Sequence, residues 1–112
     1  MNRPPSVSDK PEPGPNLGRT PCMLFFVIEH FRNGDYHAVG ARFRAKGRMM
    51  PAGVEFIASW ITPDGSTCFQ AMSAPDRAAM DAWAANWSDL VGFEIHAVEH
   101  PPEFWARVSP AA

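Results

Sequence analysis

The spacing of hydrophobic and polar residues predicts alternating strands and helices. Met23–Phe31 is apolar and rich in aromatic residues and is followed by Asn33-Gly34, which is typical of a buried strand that ends in a turn. Asp35 is a suitable N-cap for a helix, and Gly47 is a suitable left-handed C-cap for the same helix. The pattern therefore predicts a strand and then a helix.

The second half of the chain repeats this alternation. Strands are predicted over 54–62 and 66–72, joined by a tight turn at Pro63-Asp64-Gly65, and a further strand is predicted over 92–100. A helix that opens at 73–76 separates the last two strands, because apolar residues recur there at helical spacing. This apolar stripe consists of Met80, Trp83, Ala84 and Trp87.

The order βαββαβ predicts an α+β, ferredoxin-like domain over 22–108. Right-handed crossovers place both helices on one face of a four-stranded antiparallel sheet, with the strands in the order 4-1-3-2. One short helical turn is expected over 103–108, after Pro101-Pro102 has stopped the last strand.

Residues 1–21 hold six of the twelve prolines and only two large aliphatic residues, Val7 and Leu17. Such a segment buries too little apolar area to offset the entropy of ordering it, so a flexible proline-rich tail is predicted. Two alternatives stay open, a polyproline II docking peptide and translation that starts at Met23.

Composition and charge exclude several classes of protein. A chain of 112 residues has room for one domain, and a net charge of −2 gives no basic face for nucleic acid. The longest apolar run, 23–28, is too short to cross a membrane, and no signal peptide precedes it. We therefore expect a cytoplasmic protein with no nucleic-acid or membrane partner.

Six segments of the chain resemble the uncharacterised family called domain of unknown function 3303. They are MLFFVIEHF, ARFRAKGRMMPAGV, ASW, CFQAM, DAWAANWSDL and FEIHAV, and they span 23–98. The resemblance implies a place among the dimeric α/β-barrel proteins, whose ferredoxin-like subunits pair sheet against sheet. It implies no catalytic residues.

Side chains alternate between the two faces of a strand, which divides the strand residues into two sets. The almost wholly apolar set is expected under the helices: Leu24, Phe26, Ile28, Val54, Phe56, Ala58, Trp60, Phe69, Ala71, Phe93, Ile95 and Ala97. The mixed set is expected on an uncovered face: Phe25, Val27, Glu29, Glu55, Ile57, Ser59, Ile61, Cys68, Gln70, Met72, Glu94, His96 and Val98. Because an uncovered apolar face marks an interface or a ligand groove, the pattern predicts a homodimer.

A register with Ile61 opposite Ser66 gives two rows across the uncovered face. The rows are Glu94–Glu29–Cys68–Ser59 and His96–Val27–Gln70–Ile57. The candidate catalytic residues are Glu29, Glu94 and His96, because a carboxyl with a raised pKa beside an imidazole can exchange protons. The candidate ligand-binding residues are Val27, Ser59, Cys68 and Gln70. Polar contacts within a dimer interface are the simpler alternative for the same residues.

The predicted function is the binding of a small, partly apolar molecule at the uncovered sheet face. One alternative is a cofactor-independent enzyme for proton transfer, isomerisation or oxygenation of a small aromatic or polyketide-like compound. Another is a structural or regulatory dimer without a ligand. No metal or cofactor is expected, because the chain has no metal-spacing motif and no glycine-rich phosphate loop. The basic run of Arg42, Arg44, Lys46 and Arg48 is expected to face water at the end of the first helix.

Overall fold

A computed structural model describes residues 22–108 of the protein. The predicted tail at 1–21 lies outside these described residues. The strands are β1 (Met23–Phe31), β2 (Glu55–Ile61), β3 (Thr67–Ala74) and β4 (Val91–Val98). The helices are α1 (Tyr36–Lys46), α2 (Arg77–Ala85) and α3 (Pro101–Val108), and a single 3₁₀ turn at Arg32–Gly34 links β1 to α1.

The four strands form one antiparallel sheet in the order β2-β3-β1-β4. This is the predicted order 4-1-3-2 read from the other edge, so the α+β fold and the ferredoxin-like order βαββαβ are confirmed. The two central strands of the sheet are β1 and β3.

Local sequence signals fix where the helices begin and end. Asp35 Oδ1 accepts a hydrogen bond from the Ala38 amide at 3.1 Å, and Asp76 caps α2 in the same way. Gly47 ends α1 with a positive φ of 69°. The third helix is longer than predicted, because Pro101 and Pro102 occupy its first turn, where a missing N–H costs no helical hydrogen bond. None of these three helices is long and apolar enough to cross a membrane.

On the central strands β1 and β3 the helices cover the face opposite to the predicted one, whereas on β4 they cover Phe93 and Ile95 as predicted. Phe25, Val27 and Met72 are almost fully buried and form one core with Met80 and Trp83 of α2. The prediction was wrong because it assigned the most apolar set of strand residues to the helices. The helix-covered face instead contains the mixed set from β1 and β3, including two buried polar side chains.

The predicted register is correct between β1 and β3 and wrong elsewhere. Glu29 pairs with Cys68 as predicted, but on the other side it pairs with Phe93, one residue away from Glu94. Ile61 pairs with Cys68 rather than Ser66. The hairpin loop is shifted by one residue from the predicted register, because the Thr62 amide donates to the Thr67 carbonyl at 2.9 Å and closes the loop at that pair.

An irregularity in β2 also changes which side chains share a face. The ladder with β3 shifts between Phe56 and Ala58, so Phe56 pairs with Met72 while Ala58 pairs with Ala71. A bulge of this kind reverses the alternation of side chains along the strand. Phe56 therefore lies on the helix-covered side, as predicted, whereas Ala58 and Trp60 of the same predicted set lie on the opposite face.

The other face of the sheet is uncovered within residues 22–108, and we call it the open face. The rings of Phe26 and Phe69 stack on it with centroids 6.1 Å apart. Its members, read from the strand pairing, are Leu24, Phe26, Ile28, His30, Ala58, Trp60, Phe69, Ala71, Glu94, His96 and Val98.

Candidate functional site

A cavity of about 800 Å³ lies between α1 and the helix-covered face of the sheet. The loop that joins β2 to β3 forms one of its ends. This volume falls within the range of small-molecule sites. The aromatic residues among its lining are Phe31, Tyr36, Phe43, Trp60, Trp83 and Trp87. Its polar lining includes Glu29, Arg44, Arg48, Ser59, Cys68 and Gln70.

The cavity exists because α1 packs loosely on the sheet. No residue of α1 is buried, whereas α2 buries Met80 and Trp83. Val39 is the α1 residue that packs against the core at its margin, and Gly40 beside it has no side chain to fill the space. Helix α2 thus packs closely on the core, whereas α1 lies farther from the sheet and leaves room for a ligand.

Glu29 and Gln70 form a buried polar pair at the floor of the cavity. Glu29 is 6% exposed and Gln70 is 7% exposed, and the Gln70 amide donates a hydrogen bond to the Glu29 carboxyl. Burial raises the pKa of Glu29 to about 7, although the hydrogen bond from Gln70 and the charge of Arg48 both oppose the rise. Glu29 can therefore hold or release a proton near neutral pH.

The Gln70 carbonyl oxygen is a second unusual feature of this pair. It is buried and accepts no hydrogen bond from any of residues 22–108. A buried amide oxygen without a donor costs free energy, and such groups often occur where a site is adapted to a ligand or a water molecule.

Cys68 lies next to this pair and faces the same cavity. Burial, with a further contribution from the charge of Glu29, raises the pKa of its thiol to about 11. Cys68 is therefore a neutral thiol at physiological pH, which disfavours a nucleophilic role for it.

Arg48 supplies a positive charge at the cavity wall. Its guanidinium carbon lies 3.7 Å from the ring centroid of Phe56 and 5.1 Å from that of Phe43. Its backbone carbonyl accepts hydrogen bonds from the indole N–H groups of Trp83 and Trp87, each at 3.0 Å. Two indoles thus fix the backbone of Arg48, and two rings hold its side chain.

The start of α1 meets the hairpin loop at one edge of the cavity. Gly65 has a φ of 76°, and a Cβ atom added to it would lie only 2.7 Å from the Tyr36 ring. Asp64 holds the loop by accepting hydrogen bonds from Thr62 and Ser66, and these bonds lower the pKa of its carboxyl. The Tyr36 ring therefore packs on a rigid turn.

Four of the seven predicted site residues line the cavity, namely Glu29, Ser59, Cys68 and Gln70. Val27 lies in the core beside them and is fully buried. The sequence pattern thus identified several of the cavity-lining side chains, although it predicted them on an uncovered face rather than under α1.

Glu94 and His96 lie on the open face, away from Glu29. His30 Nε2 lies 2.7 Å from one Glu94 oxygen, and His96 Nε2 lies 3.6 Å from the other. Hydrogen bonding to His30 and then to His96 lowers the pKa of Glu94. The predicted pairing of Glu29 with Glu94 is wrong, because β4 is one residue out of phase with the prediction and places Glu94 opposite Ile28.

Arg44 and Arg48 both line the cavity, although both side chains were expected to face water. Gly47 ends α1 one residue before Arg48, so Arg48 lies outside the helix that carries Arg42, Arg44 and Lys46. Gly47, the C-cap of α1, is the signal in the sequence that separates Arg48 from the basic residues of the helix.

Comparison with known proteins gives a family but no function. The family model described as Domain of unknown function (DUF3303) matches residues 23–112, so the chain belongs to this family, as its resemblance predicts. No match was found among curated proteins or among solved structures.

Proposed function

We propose that this member of the DUF3303 family binds a small, partly apolar molecule in the cavity beneath α1. The observation that carries the proposal is the buried pair of Glu29 and Gln70 at the floor of an aromatic-lined cavity. A buried carboxyl is costly in a core, and an apolar side chain of similar size would be more stable there. Such a pair is typical of a site where a ligand needs a few polar contacts.

The two kinds of lining residue have separate roles in this proposal. Tyr36 and Phe43, which are 47% and 43% exposed, offer flat aromatic surface to the body of the ligand, and Glu29 and Gln70 offer hydrogen bonds that orient it. The proposed location differs from the predicted open face, because three of the four predicted ligand-binding residues, and the predicted catalytic residue Glu29, line the cavity instead.

Isothermal titration calorimetry with 2-naphthol and 2-naphthamide, two neutral aromatic probes, tests this proposal. Ser59→Phe places a ring inside the cavity, and Ser88→Phe adds the same ring at an exposed position away from it. We expect wild type and Ser88→Phe to bind at least one probe alike, and Ser59→Phe to bind it about tenfold or more weakly. Absence of binding to wild type would favour a structural or regulatory dimer without a ligand.

Glu29 also favours a second candidate function, cofactor-independent acid–base catalysis. A carboxyl with a pKa of about 7 is matched to proton transfer at neutral pH. In the simplest reaction, the Glu29 carboxylate takes a proton from the carbon next to a ligand carbonyl. The proton on the Glu29 carboxylic acid exchanges with solvent, and the enolate then recovers a proton, or a deuteron in D₂O, from that carboxylic acid.

Deuterium exchange into 2-tetralone in D₂O tests this chemistry, because the reaction replaces a C–H bond by a C–D bond without a cofactor. Wild type is expected to accelerate the exchange over buffer, and Glu29→Gln is expected to abolish the acceleration. Equal exchange with both proteins would exclude Glu29 as the base for this probe, while the binding proposal would stand.

The chain is further proposed to form a homodimer through the open face. This face carries Phe26, Ile28 and Phe69 in its centre, and Trp60 at its side is 55% exposed. A contiguous apolar surface of this kind on a small domain is expected to be covered by a partner. A second copy presents the same surface, so a twofold interface would cover both faces at once.

A further inference from the structure

Arg48 forms no ion pair with a carboxylate of residues 22–108, although its charge acts on the Glu29 carboxyl. The ion pairs of the described residues involve other cations, such as Arg42 with Asp89 and Arg107 with Glu99. Arg48 instead lies against the rings of Phe56 and Phe43. A guanidinium held on aromatic faces keeps its N–H groups available for a planar anion.

The negative groups near the cavity already have other partners. The Glu29 carboxyl accepts the Gln70 amide, and Asp64 is held within the hairpin loop by Thr62 and Ser66. Arg44 also lines the cavity and adds positive charge to the same side. Arg44 and Arg48 form no ion pair within residues 22–108, so both can meet an anion from outside.

The backbone at Arg48 is held in place before any ligand arrives. Both indole N–H groups of Trp83 and Trp87 donate to its carbonyl, so the main chain cannot shift without breaking two hydrogen bonds. A binding group that is positioned in advance loses less entropy when the ligand binds. A fixed backbone of this kind is typical of a recognition site, whereas an arginine that only faces solvent does not require it.

We propose that the ligand is an aromatic carboxylate, or a planar anion of equivalent shape, whose acidic group pairs with Arg48 while its ring lies among the aromatic residues of the cavity. This inference rests on the proposed binding function and adds the charge of the ligand to it. The pairing of a guanidinium with a carboxylate through two parallel N–H···O hydrogen bonds gives both the affinity and the orientation.

Calorimetric titration of two matched probes, 2-naphthoate and 2-naphthamide, tests the inference. The probes share one ring system and differ in charge, and a buffer of about pH 6 keeps most of the Glu29 carboxyl uncharged. Wild type is expected to bind 2-naphthoate about tenfold or more tightly than 2-naphthamide. Arg48→Gln is expected to lose this preference and to bind the two probes about equally.

Arg107→Gln is the matched control, because it removes an arginine of α3 that does not line the cavity. It is expected to retain the full preference for 2-naphthoate. If Arg48→Gln does not fold, Arg48→Lys retains the charge without the planar fork and is expected to lose part of the preference. A wild type that binds both probes equally would overturn the inference and leave the binding function intact. A preference that survives in Arg48→Gln would also overturn it, and failure of both probes to bind would overturn both proposals.

Discussion

Gln70 and Glu29 lie diagonally across the ladder between β1 and β3, and the Gln70 amide donates a hydrogen bond to the Glu29 carboxyl. Diagonal neighbours on one face of an antiparallel pair are within reach of long side chains. Both residues are more than nine-tenths buried, so the pair has little contact with solvent. The protonation of Glu29 is therefore coupled to the stability of the fold.

The free energy of unfolding should fall as the pH rises from about 4.5 to about 7, because over this range Glu29 keeps a proton in the folded state that it loses in the unfolded state. Its pKa is raised by burial in the folded state from 4.5 to about 7, so the folded state binds the proton more tightly than the unfolded state. The stabilising contribution of protonated Glu29 is fully present below the pKa of this residue in the unfolded state, 4.5. It is lost as the pH rises through the pKa of this residue in the folded state, about 7. The shift corresponds to about 3 kcal/mol of unfolding free energy.

Urea unfolding of wild type and Glu29→Gln at about pH 5 and about pH 8 measures this contribution. The free energy of unfolding of wild type, relative to Glu29→Gln, is expected to decrease between the two pH values. Glu103→Gln, at an exposed position of α3, is expected to leave the pH dependence unchanged. A constant difference between wild type and Glu29→Gln would show that Glu29 is ionised normally.

Trp83 and Trp87 should stabilise the fold cooperatively through the Arg48 carbonyl. In either single variant, Trp83→Phe or Trp87→Phe, the carbonyl retains one indole donor. In the double variant it has neither, so the penalty for a part-buried acceptor without a partner, at most about 1–3 kcal/mol, appears there for the first time. The loss of unfolding free energy in the double variant is therefore expected to exceed the sum of the single losses. Additive losses would indicate that the indoles contribute by packing alone.

Gly65→Ala should destabilise the protein more than Gly34→Ala does. Both glycines have positive φ, at 76° and 62°, but only at Gly65 would the new methyl group meet the Tyr36 ring. The backbone cost of about 1 kcal/mol is shared by both variants, so the difference between them measures the steric contact. In a Tyr36→Ala background this difference is expected to disappear. A difference that persists there would place the strain elsewhere in the loop.

A charge at the centre of the open face should disrupt the proposed dimer. Phe26→Asp would place a carboxylate beside Phe69, where a second copy would bury it without a partner. Light scattering on wild type is expected to give a dimer, and Phe26→Asp is expected to give a monomer or an aggregate. Ala82→Asp, on the exposed side of α2, serves as the control and is expected to remain dimeric. A monomeric wild type would exclude the interface.

The order of strands and helices could be read from the sequence because several helix ends carry capping residues. Asp35 and Asp76 cap their helices through their own side chains, and Gly47 ends α1 with a positive φ. These signals depend on a few neighbouring residues and not on the tertiary structure. The strand order then followed from the handedness of the crossovers.

The face of the sheet that the helices cover could not be read from the sequence in the same way. Alternation gives two sets of residues, but it does not say which set the helices cover when both contain large apolar side chains. The phase of β4 and the bulge near Phe56 depend on pairing across the sheet, and an error of one residue moves Glu94 to the opposite face from Glu29. Glu29, Cys68 and Gln70 were identified as neighbours because the pairing of β1 with β3 was predicted correctly.

The proposed site is tested most directly by NMR of the tryptophan indole N–H groups during titration with 2-naphthamide. The chain has four tryptophans. Trp83 and Trp87 line the cavity and donate to the Arg48 carbonyl, Trp60 also borders the cavity, and Trp105 lies on the exposed surface of α3. Trp83→Phe and Trp87→Phe assign the signals. Binding beneath α1 predicts that the signals of Trp83 and Trp87 shift together along one saturable curve while that of Trp105 stays in place. Saturable binding that leaves both cavity indoles unshifted would contradict a ligand site beneath α1.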